Sequence, residues 1–300
     1  DGSLADGPIA LCEIQAYAYA ARIGAAELAE LLELPERATE LRLQAEELRQ
    51  RFEDAYWLEE LGTYALALDG DKRPTQVRTS NPGHCLVSGI VAPSRAAQLA
   101  ETLMDDASFS GWGVRTVAAG ESRYNPMSYH NGSIWPHDNA IVAAGLMRYG
   151  CVDAAQRVAT ALFDAAERLG GQLPELFCGF DRSEFTDPVP YPTACSPQAW
   201  ASASPQFLLR TLLRFDPWIP FGRVWCAPAV PDRYLPLRIE SLHLAGAEVT
   251  IDVRRDDWSL SGLPEGIELV RAPRQPLTAT TPPPLTEPTK NVLVDSVLPS

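Results

Sequence analysis

The sequence lacks the features that mark membrane, secreted and nucleic-acid-binding proteins. None of its apolar runs approaches the roughly 20 residues that a membrane span needs, and its first residues have neither the basic start nor the apolar centre of a signal peptide. It is also poor in positive charge, with 25 lysines and arginines against 39 acidic residues and a net charge of −14. Nucleic acids and anionic membranes bind to basic surfaces. We therefore expect neither as a partner and expect a neutral ligand.

Patterns typical of metal and nucleophilic sites are missing as well. The six cysteines form no CxxC pair, and we predict that they are buried, reduced thiols of a cytoplasmic protein without zinc or any cofactor. His130, His137 and Asp138 have the side chains of metal ligands, but no further ligand at a fixed spacing supports such a site. The sequence has no GxSxG, no Gly-rich phosphate loop and no HExxH, so serine hydrolases, nucleotide-binding proteins and zincins lack support.

The residues that are present indicate a globular, mainly helical protein. Apolar residues make up 46% of the chain and charged residues 21%. Their spacing predicts helices joined by loops, with Pro8 opening the first helix and Gly24 ending it. The predicted helices cover residues 8–23, 25–34, 36–56, 86–91, 94–104, 139–149, 152–169 and 197–215. Antiparallel helix pairs with functional loops at one end are the simplest arrangement.

The pattern changes twice near the end of the chain. Alternating residues in LRIESLHL, AEVTIDVRR and IELVRA predict a small antiparallel sheet. The last residues are rich in proline and threonine and are predicted to be disordered. We therefore predict a helical domain over 1–216, a β-rich subdomain over 217–272 and a tail over 273–300.

The loop from Trp112 to Asp138 concentrates aromatic and polar side chains between glycines and prolines. Aromatic rings cover the apolar faces of a pyranose, and Asn, Asp, His and Arg supply hydrogen-bond donors and acceptors for its hydroxyls. We therefore predict a sugar pocket here. Its candidate residues are Trp112, Arg115, Tyr129, His130, Asn131, Trp135, His137 and Asp138.

Hydrolysis of a glycosidic bond needs two carboxyl groups, and three positions are candidates. Glu175 follows a Gly-Gly helix end and Pro174, beside apolar Leu176 and Phe177, although it could also be an exposed loop residue. Asp138 stands where a helix starts, so it could be a helix N-cap instead of, or as well as, a site residue. Glu13 lies with Gln15 and Tyr17 in a buried helix, either in a structural hydrogen bond or in a pocket wall.

Several long segments together resemble the bacterial amylo-α-1,6-glucosidase, or glycogen-debranching, proteins. The similar segments are YNPMSYHNGSIWPHDNAIVAAGLMRYG, GWGVRT, LPELFCGFDR, SPQAWAS, SNPGH and the opening DGSLADGPIALCEIQAYAYAA. That family is similar to the (α/α)6-toroid, or six-hairpin, glycosidases, which include glucoamylases, trehalases, mannosylglycerate hydrolases and processing glucosidases. The resemblance implies an all-helical toroid with a small β appendage and inverting hydrolysis of an α-glycosidic bond in an α-glucan or small oligosaccharide.

The resemblance also implies a role for each candidate residue. Glu175 would be the general base that activates water. The other residues would bind the sugar: Glu13, Gln15, Tyr17, Trp112, Arg115, Tyr129, His130, Asn131, Trp135, His137, Asp138, Phe177, Gln198 and Trp200.

One expected part of the family pattern is missing. The general-acid aspartate is expected in a WKDS-like segment before DGSL, and this sequence has none. We therefore expect an N-terminally incomplete toroid, completed by residues upstream of Asp1, that is inactive or nearly so alone. Asp138 is the fallback acid. A non-hydrolytic carbohydrate-binding homologue and a hydrolase of trehalose, mannosylglycerate or glucosylglycerate remain alternatives.

Overall fold

The computed structural model describes residues 2–276, and the predicted tail therefore lies mostly outside the described residues. Seven α-helices occur within this range. They are α1 (Cys12–Leu31), α2 (Pro35–Tyr56), α3 (Asn81–Ser88), α4 (Pro93–Met104), α5 (Pro136–Arg148), α6 (Val152–Arg168) and α7 (Ala199–Leu213). None of them has the length and apolar composition needed to cross a membrane.

Ten short strands accompany the helices in the same range. They are β1 (Ala10–Leu11), β2 (Trp57–Leu58), β3 (Thr63–Tyr64), β4 (Ala67–Leu68), β5 (Asp216–Trp218), β6 (Arg223–Trp225), β7 (Leu237–Leu244), β8 (Ala247–Val253), β9 (Trp258–Ser261) and β10 (Glu268–Val270). The protein is therefore mainly α with a small β part at its C-terminal end, as predicted.

The helices form two rows. Helices α1, α3, α5 and α7 contact one another in that order, while α2 packs on α1, α4 on α3, and α6 on both α5 and α7. In the first row the helices are parallel. At one end His84 near the start of α3 contacts Asp138 in the first turn of α5, and at the other end Arg148 Nη1 of α5 donates to the carbonyl of Val87 in α3 at 2.9 Å. The N-termini of this row therefore meet at one end of the protein.

Burial explains which helix belongs to which row. In α6, which belongs to the second row, the buried residues Ala155, Val158, Ala159 and Leu162 recur at helical spacing on one face, and the opposite face is polar. Helix α5, which belongs to the first row, is instead buried on most sides. A helix that is apolar nearly all round needs neighbours all round, and α5 has α3, α6 and α7.

Several predicted helix boundaries are wrong. Helix α1 begins at Cys12 and not at Pro8, because Ala10 and Leu11 are extended and pair with β4, and α5 begins at Pro136 and not at residue 139. Helix α1 continues through Gly24, because burial of Ile23 and Ala26 on either side outweighs the roughly 0.5–1 kcal/mol that an internal glycine costs. Helix α3 begins at Asn81, before the predicted start at residue 86, with Pro82 in its first turn. It ends at Gly89, whose φ of 85° is left-handed.

The C-terminal sheet differs from its prediction in one strand. Strands β7 and β8 form the predicted hairpin, with Ala245 and Gly246 left-handed at the turn. Its third strand is β9, which was not predicted. The IELVRA segment forms β10, which pairs in parallel with β6 in another sheet. Alternation identified IELVRA as a strand but carries no information on its partner.

The β part has its own apolar cluster, in which Val249, Ile251 and Val253 of β8 pack with Leu213 and Phe215 from the end of α7. Five cysteines are buried or partly buried and none is paired, but Cys195 is exposed in a loop, which corrects the prediction that all six are buried.

Close contact between α3 and α5 depends on glycine. A Cβ atom at Gly145 would lie 2.6 Å from Leu86 Cβ and 2.7 Å from the backbone nitrogen of Val87, and one at Gly83 would lie 2.5 Å from Val142 Cγ2. The two helices therefore touch through backbone, which leaves no room for a methyl group.

We predict that Gly145→Ala lowers the free energy of unfolding by about 1–3 kcal/mol, because α3 and α5 must move apart. Gly24→Ala is the matched control, since Gly24 is also within a helix but has no atom within 4 Å of an added Cβ. The control should raise the free energy of unfolding by about 0.5–1 kcal/mol. Urea unfolding followed by circular dichroism measures both, and equal effects of the two substitutions would contradict the packing argument.

Candidate active site

The predicted site residues gather at the end of the protein where α1, α3, α5 and α7 begin. Glu13 is in the first turn of α1 and Asp138 in the first turn of α5, where the positive end of the helix dipole favours carboxylates. The loops before α5 and α7 bring Tyr129 and Glu175 to the same place. Candidate residues on helix starts and loops are thus brought together at one end of the helix row.

A chain of polar contacts joins the first three helices of the row. His84 Nε2 of α3 pairs with Asp138 Oδ1 at 2.6 Å, and His84 Nδ1 pairs with the hydroxyl of Tyr17 in α1. Asn81 Nδ2 donates to Glu13 Oε1 at 2.9 Å. Burial lowers the pKa of His84, but the hydrogen bond and charge of Asp138 and the charge of Glu13 outweigh it and raise the pKa overall. His84 is therefore held toward its charged form.

Asp138 lies in the first turn of α5 and is not the N-cap of this helix. The cap position is Trp135, and its side chain makes no capping hydrogen bond. Asp138 is buried, with 6% of the residue exposed, and its Oδ1 pairs with His84. Its other oxygen, Oδ2, is buried and accepts no hydrogen bond from any residue of the described range.

Glu175 is buried, at 8% exposure, which removes the alternative of an exposed loop glutamate. The hydroxyl of Tyr129 donates to Oε1 at 2.6 Å, and the backbone amide of Cys195 donates to Oε2 at 3.3 Å. Backbone bonds on either side keep it in place, since its own amide donates to the Cys195 carbonyl and Phe177 pairs with Ile134. The hydrogen bond from Tyr129 is the largest of the effects that lower the pKa of Glu175. Burial alone would raise this pKa, but the hydrogen bonds outweigh burial and hold the pKa below its ordinary value.

Aromatic rings line the space beside Glu175. The ring of Tyr129 meets Trp135 edge to face at 4.9 Å and Tyr191 at 5.6 Å. His137 stacks on Trp200, with ring centroids 4.1 Å apart and planes within 6°. Trp200 is 51% exposed, so it offers an open aromatic surface at the start of α7. A flat apolar surface next to carboxylates suits the apolar face of a sugar ring.

Three buried polar atoms at this end have no partner within residues 2–276: Asp138 Oδ2, His137 Nδ1 and Gln198 Oε1. Burial lowers the pKa of His137, although the charges of Asp138 and Glu175 oppose the shift. His137 is therefore neutral at pH 7. A buried polar atom without a partner costs about 1–3 kcal/mol, which a ligand hydroxyl can offset. The site thus presents two free acceptors, Asp138 Oδ2 and Gln198 Oε1, and one free imidazole nitrogen to a neutral, hydroxyl-rich ligand.

Four predicted binding residues lie elsewhere. Trp112 and Phe177 are at most 1% exposed in the core, and Arg115, at 3%, donates to the backbone carbonyls of Gly179, Asp106 and Ala107. They support the loops from inside and do not form a rim. Gln15 is two positions from Glu13, which places it about 200° around α1 and away from the face that carries Glu13 and Tyr17.

The remaining predicted residues, His130 and Asn131, border the aromatic rings. His130 is exposed and lies 4.6 Å from the Tyr129 ring between centroids, and Asn131 is partly exposed. Within residues 2–276 no group of three or more His, Cys, Asp or Glu side chains is arranged to hold a metal ion.

Sequence reasoning missed His84, Asn81 and Tyr191. His84 and Asn81 are in the SNPGH segment, which lies outside the predicted helices. Their three-residue spacing at a proline-containing helix start would have placed both on one helical face. Nothing in the local sequence of Tyr191 indicates its position beside Tyr129, because that contact is made only in the tertiary structure.

The chain is similar to known proteins in both sequence and structure. A family model described as the mannosylglycerate hydrolase MGH1-like glycoside hydrolase domain matches residues 4–181. This range includes Glu13, His84, Asp138 and Glu175. A search of curated proteins finds no match.

Solved structures of several glycosidases share the fold. The GH63 mannosylglycerate hydrolase from Thermus thermophilus in complex with glucose is 22% identical, with a TM-score of 0.54 over 67% of this chain and 48% of that one. Neutral trehalase Nth1 from Saccharomyces cerevisiae is 16% identical, with a TM-score of 0.51 over 68% of this chain and 38% of that one. A structure named sialidase is 14% identical, with a TM-score of 0.67 over 85% of this chain and 25% of that one.

This chain spans about half the length of the mannosylglycerate hydrolase, and less of the other two. At sequence identities below 25%, the similarity to these structures shows a shared fold and no more. The family match covers more than half of the chain and includes all three candidate carboxylates, Glu13, Asp138 and Glu175. The chain therefore belongs to the family of the mannosylglycerate hydrolase MGH1-like glycoside hydrolase domain.

Proposed function

We propose that this chain forms the part of an inverting α-glycosidase that binds the sugar and supplies the general base, Glu175. The observation that carries the proposal is the environment of Glu175: a buried carboxylate, held ionised by Tyr129, beside aromatic rings and unpartnered acceptors. The two rows of helices would be an arc of an (α/α)6 toroid.

The proposed base acts on water. An ionised carboxylate can accept a proton from a water molecule that attacks the anomeric carbon, on the face opposite the leaving group. Inversion requires the acid and the base to be roughly 6.5–9.5 Å apart, which leaves room for that water. Tyr129 and the Cys195 amide fix the carboxylate, so its orientation is set before substrate binds.

Asp138 is better suited to binding than to proton donation. His84 is held toward its charged form and pairs with Oδ1, so this oxygen acts as a hydrogen-bond acceptor. Its free Oδ2 can accept a hydrogen bond from a sugar hydroxyl. We assign Asp138, with His137 and Gln198, to the sugar-binding wall. The general acid remains predicted to come from a WKDS-like segment outside residues 1–300.

Two substrate classes fit this site. The family description and the structures of the mannosylglycerate hydrolase and trehalase support a small α-glycoside such as mannosylglycerate, glucosylglycerate or trehalose. The residue-level resemblance to debranching proteins supports an α-1,6 branch of an α-glucan. The sugar-binding wall described above serves both, since it would hold the glycosyl unit that is released.

A panel of substrates distinguishes these classes. The whole protein should be assayed with mannosylglycerate, glucosylglycerate, trehalose and an α-1,6-branched oligosaccharide, with products separated by chromatography. Preferential cleavage of one of the first three would assign the small-glycoside class, and release of glucose from the branched substrate would assign debranching. Binding of sugar without cleavage of any substrate by the whole protein would contradict the proposal and favour a carbohydrate-binding homologue.

Glu175→Gln tests the base directly. Removing a general base should lower kcat by a factor of roughly 10² to 10⁴, while the shape of the side chain and hence sugar affinity are kept. Calorimetric titration with the preferred sugar measures the affinity. Glu184→Gln is the control, because Glu184 lies exposed in the same loop region. Loss of binding in Glu175→Gln would mean that Glu175 is a substrate ligand instead.

Tyr129→Phe tests how Glu175 is kept ionised. Tyr129 is the largest cause of the lowered pKa of Glu175, so its removal should raise that pKa. Because the base works only when ionised, activity is lost as pH falls through this pKa. The acid limb of the pH profile of kcat should therefore move to higher pH. Tyr191→Phe removes a neighbouring hydroxyl and should leave the limb in place; equal shifts in both variants would contradict the account.

A further inference from the structure

We propose a second binding site in this protein, for a small oxyanion bearing a carboxylate or phosphate, at the end of the helix row opposite the candidate active site. A cavity of about 240 Å³ lies there, where α5 and α7 end. Four arginines line it, Arg148, Arg210, Arg214 and Arg274, with Asp216 as its one acidic lining residue within the described chain. The inference does not rest on the proposed glycosidase function.

The cavity carries an excess of positive charge in a protein of net charge −14. Asp216 accepts ion pairs from three of the arginines: Arg210 at 3.1 Å, Arg274 at 3.1 Å and Arg148 at 3.7 Å. One carboxylate neutralises one guanidinium, so the four arginines leave a surplus of three positive charges among the lining residues. Like charges held this close favour an added anion.

Glu27 on α1 does not remove this surplus. Its side chain is buried, and the burial raises its pKa to about 7 even though the charges of Arg274 and Arg42 lower it. Glu27 is thus only partly ionised near neutral pH. Glu27 therefore leaves most of the positive charge of the cavity uncompensated.

Arg274 is fixed in a position to bind. Its guanidinium lies over the Trp218 ring, 3.3 Å from the ring centroid, and 5.5 Å from that of Trp225. One nitrogen donates to Asp216, but Nη2 is buried and has no acceptor among residues 2–276. Because stacking already fixes the Arg274 guanidinium, its free Nη2 donor loses little conformational entropy when it binds a ligand oxygen.

Capping of helix ends explains only part of this arginine cluster. Arg148 Nη1 donates to the carbonyl of Val87 and Arg210 Nε to that of Phe215, as basic residues near helix C-termini commonly do. Each guanidinium has five N–H donors, however, and the described contacts occupy a minority of them. The remaining donors are available to a planar or tetrahedral oxyanion.

The shape of the cavity limits the ligand. Val87, Met147, Phe207 and Phe215 form apolar walls, so a short carbon skeleton can accompany the charged group. Ten residues of α5 separate Asp138 from Arg148, which is roughly 15 Å along the helix. The two sites are therefore separate, and an anion here does not enter the sugar site.

Titration of the whole chain with inorganic phosphate, and separately with acetate, tests the proposal. Calorimetry and the unfolding temperature should both show saturable binding that sodium chloride at equal ionic strength does not reproduce. Binding of phosphate alone would identify a phosphate site, and binding of acetate alone a carboxylate site; either result supports an oxyanion site. Absence of saturable binding by both anions would overturn it.

Substitutions locate the binding. Arg210→Gln should weaken anion affinity at least tenfold, and Arg274→Gln likewise. Arg37→Gln should leave it unchanged, because Arg37 has a similarly exposed side chain, 55% against 50%, on α2 away from the cavity. Asp216→Asn removes the competing carboxylate and should tighten binding severalfold, which a purely structural ion cluster does not predict. Equal affinities in Arg210→Gln and Arg37→Gln, or weaker binding in Asp216→Asn, would contradict the site.

Discussion

Close packing of α3 against α5 is the constraint on which the site depends. Because Gly83 and Gly145 allow the two helices to touch through backbone, His84 reaches Asp138 at 2.6 Å. The same packing aligns the N-termini of the row, so that Tyr17 of α1 can meet His84 from the other side. Sterics at two glycines therefore determine where Asp138 stands relative to His84.

Glu175 and Asp138 differ in their ability to take up a proton because their hydrogen-bond partners differ. Glu175 accepts hydrogen bonds from a neutral hydroxyl and an amide, so it stays ionised yet can take up a proton. Asp138 faces a histidine that is held toward its charged form, so one of its oxygens is already committed. Both are buried, and the difference arises from their partners.

Much of the fold could be predicted from the sequence. In α2, α4 and α6 the buried apolar residues recur at helical spacing on the one side that packs against the other helices, so the pattern of apolar residues reveals each helix. Prediction failed at Gly24, where tertiary burial overrides a local helix-ending signal, and at IELVRA, where alternation does not specify the partner strand. In the site, the positions of Glu175 and Asp138 were predictable from loop and helix-start context. Trp112, Arg115 and Phe177 were misplaced because residue type does not reveal whether a side chain points inward. His84 was missed because its contact with Asp138 joins residues 54 positions apart in the chain.

The row of helices has two functional ends in this account. At the N-terminal ends, acceptors and aromatic rings suit a neutral sugar, and at the C-terminal ends arginines suit an anion.

The role proposed for Glu175 is to activate water and not to attack the sugar itself. The most direct test is the anomeric configuration of the sugar first released from an α-glycoside, followed by proton NMR before mutarotation. The account predicts the β-anomer, by a single displacement by water. Release of the α-anomer would mean retention through a covalent intermediate and would contradict the role given to Glu175.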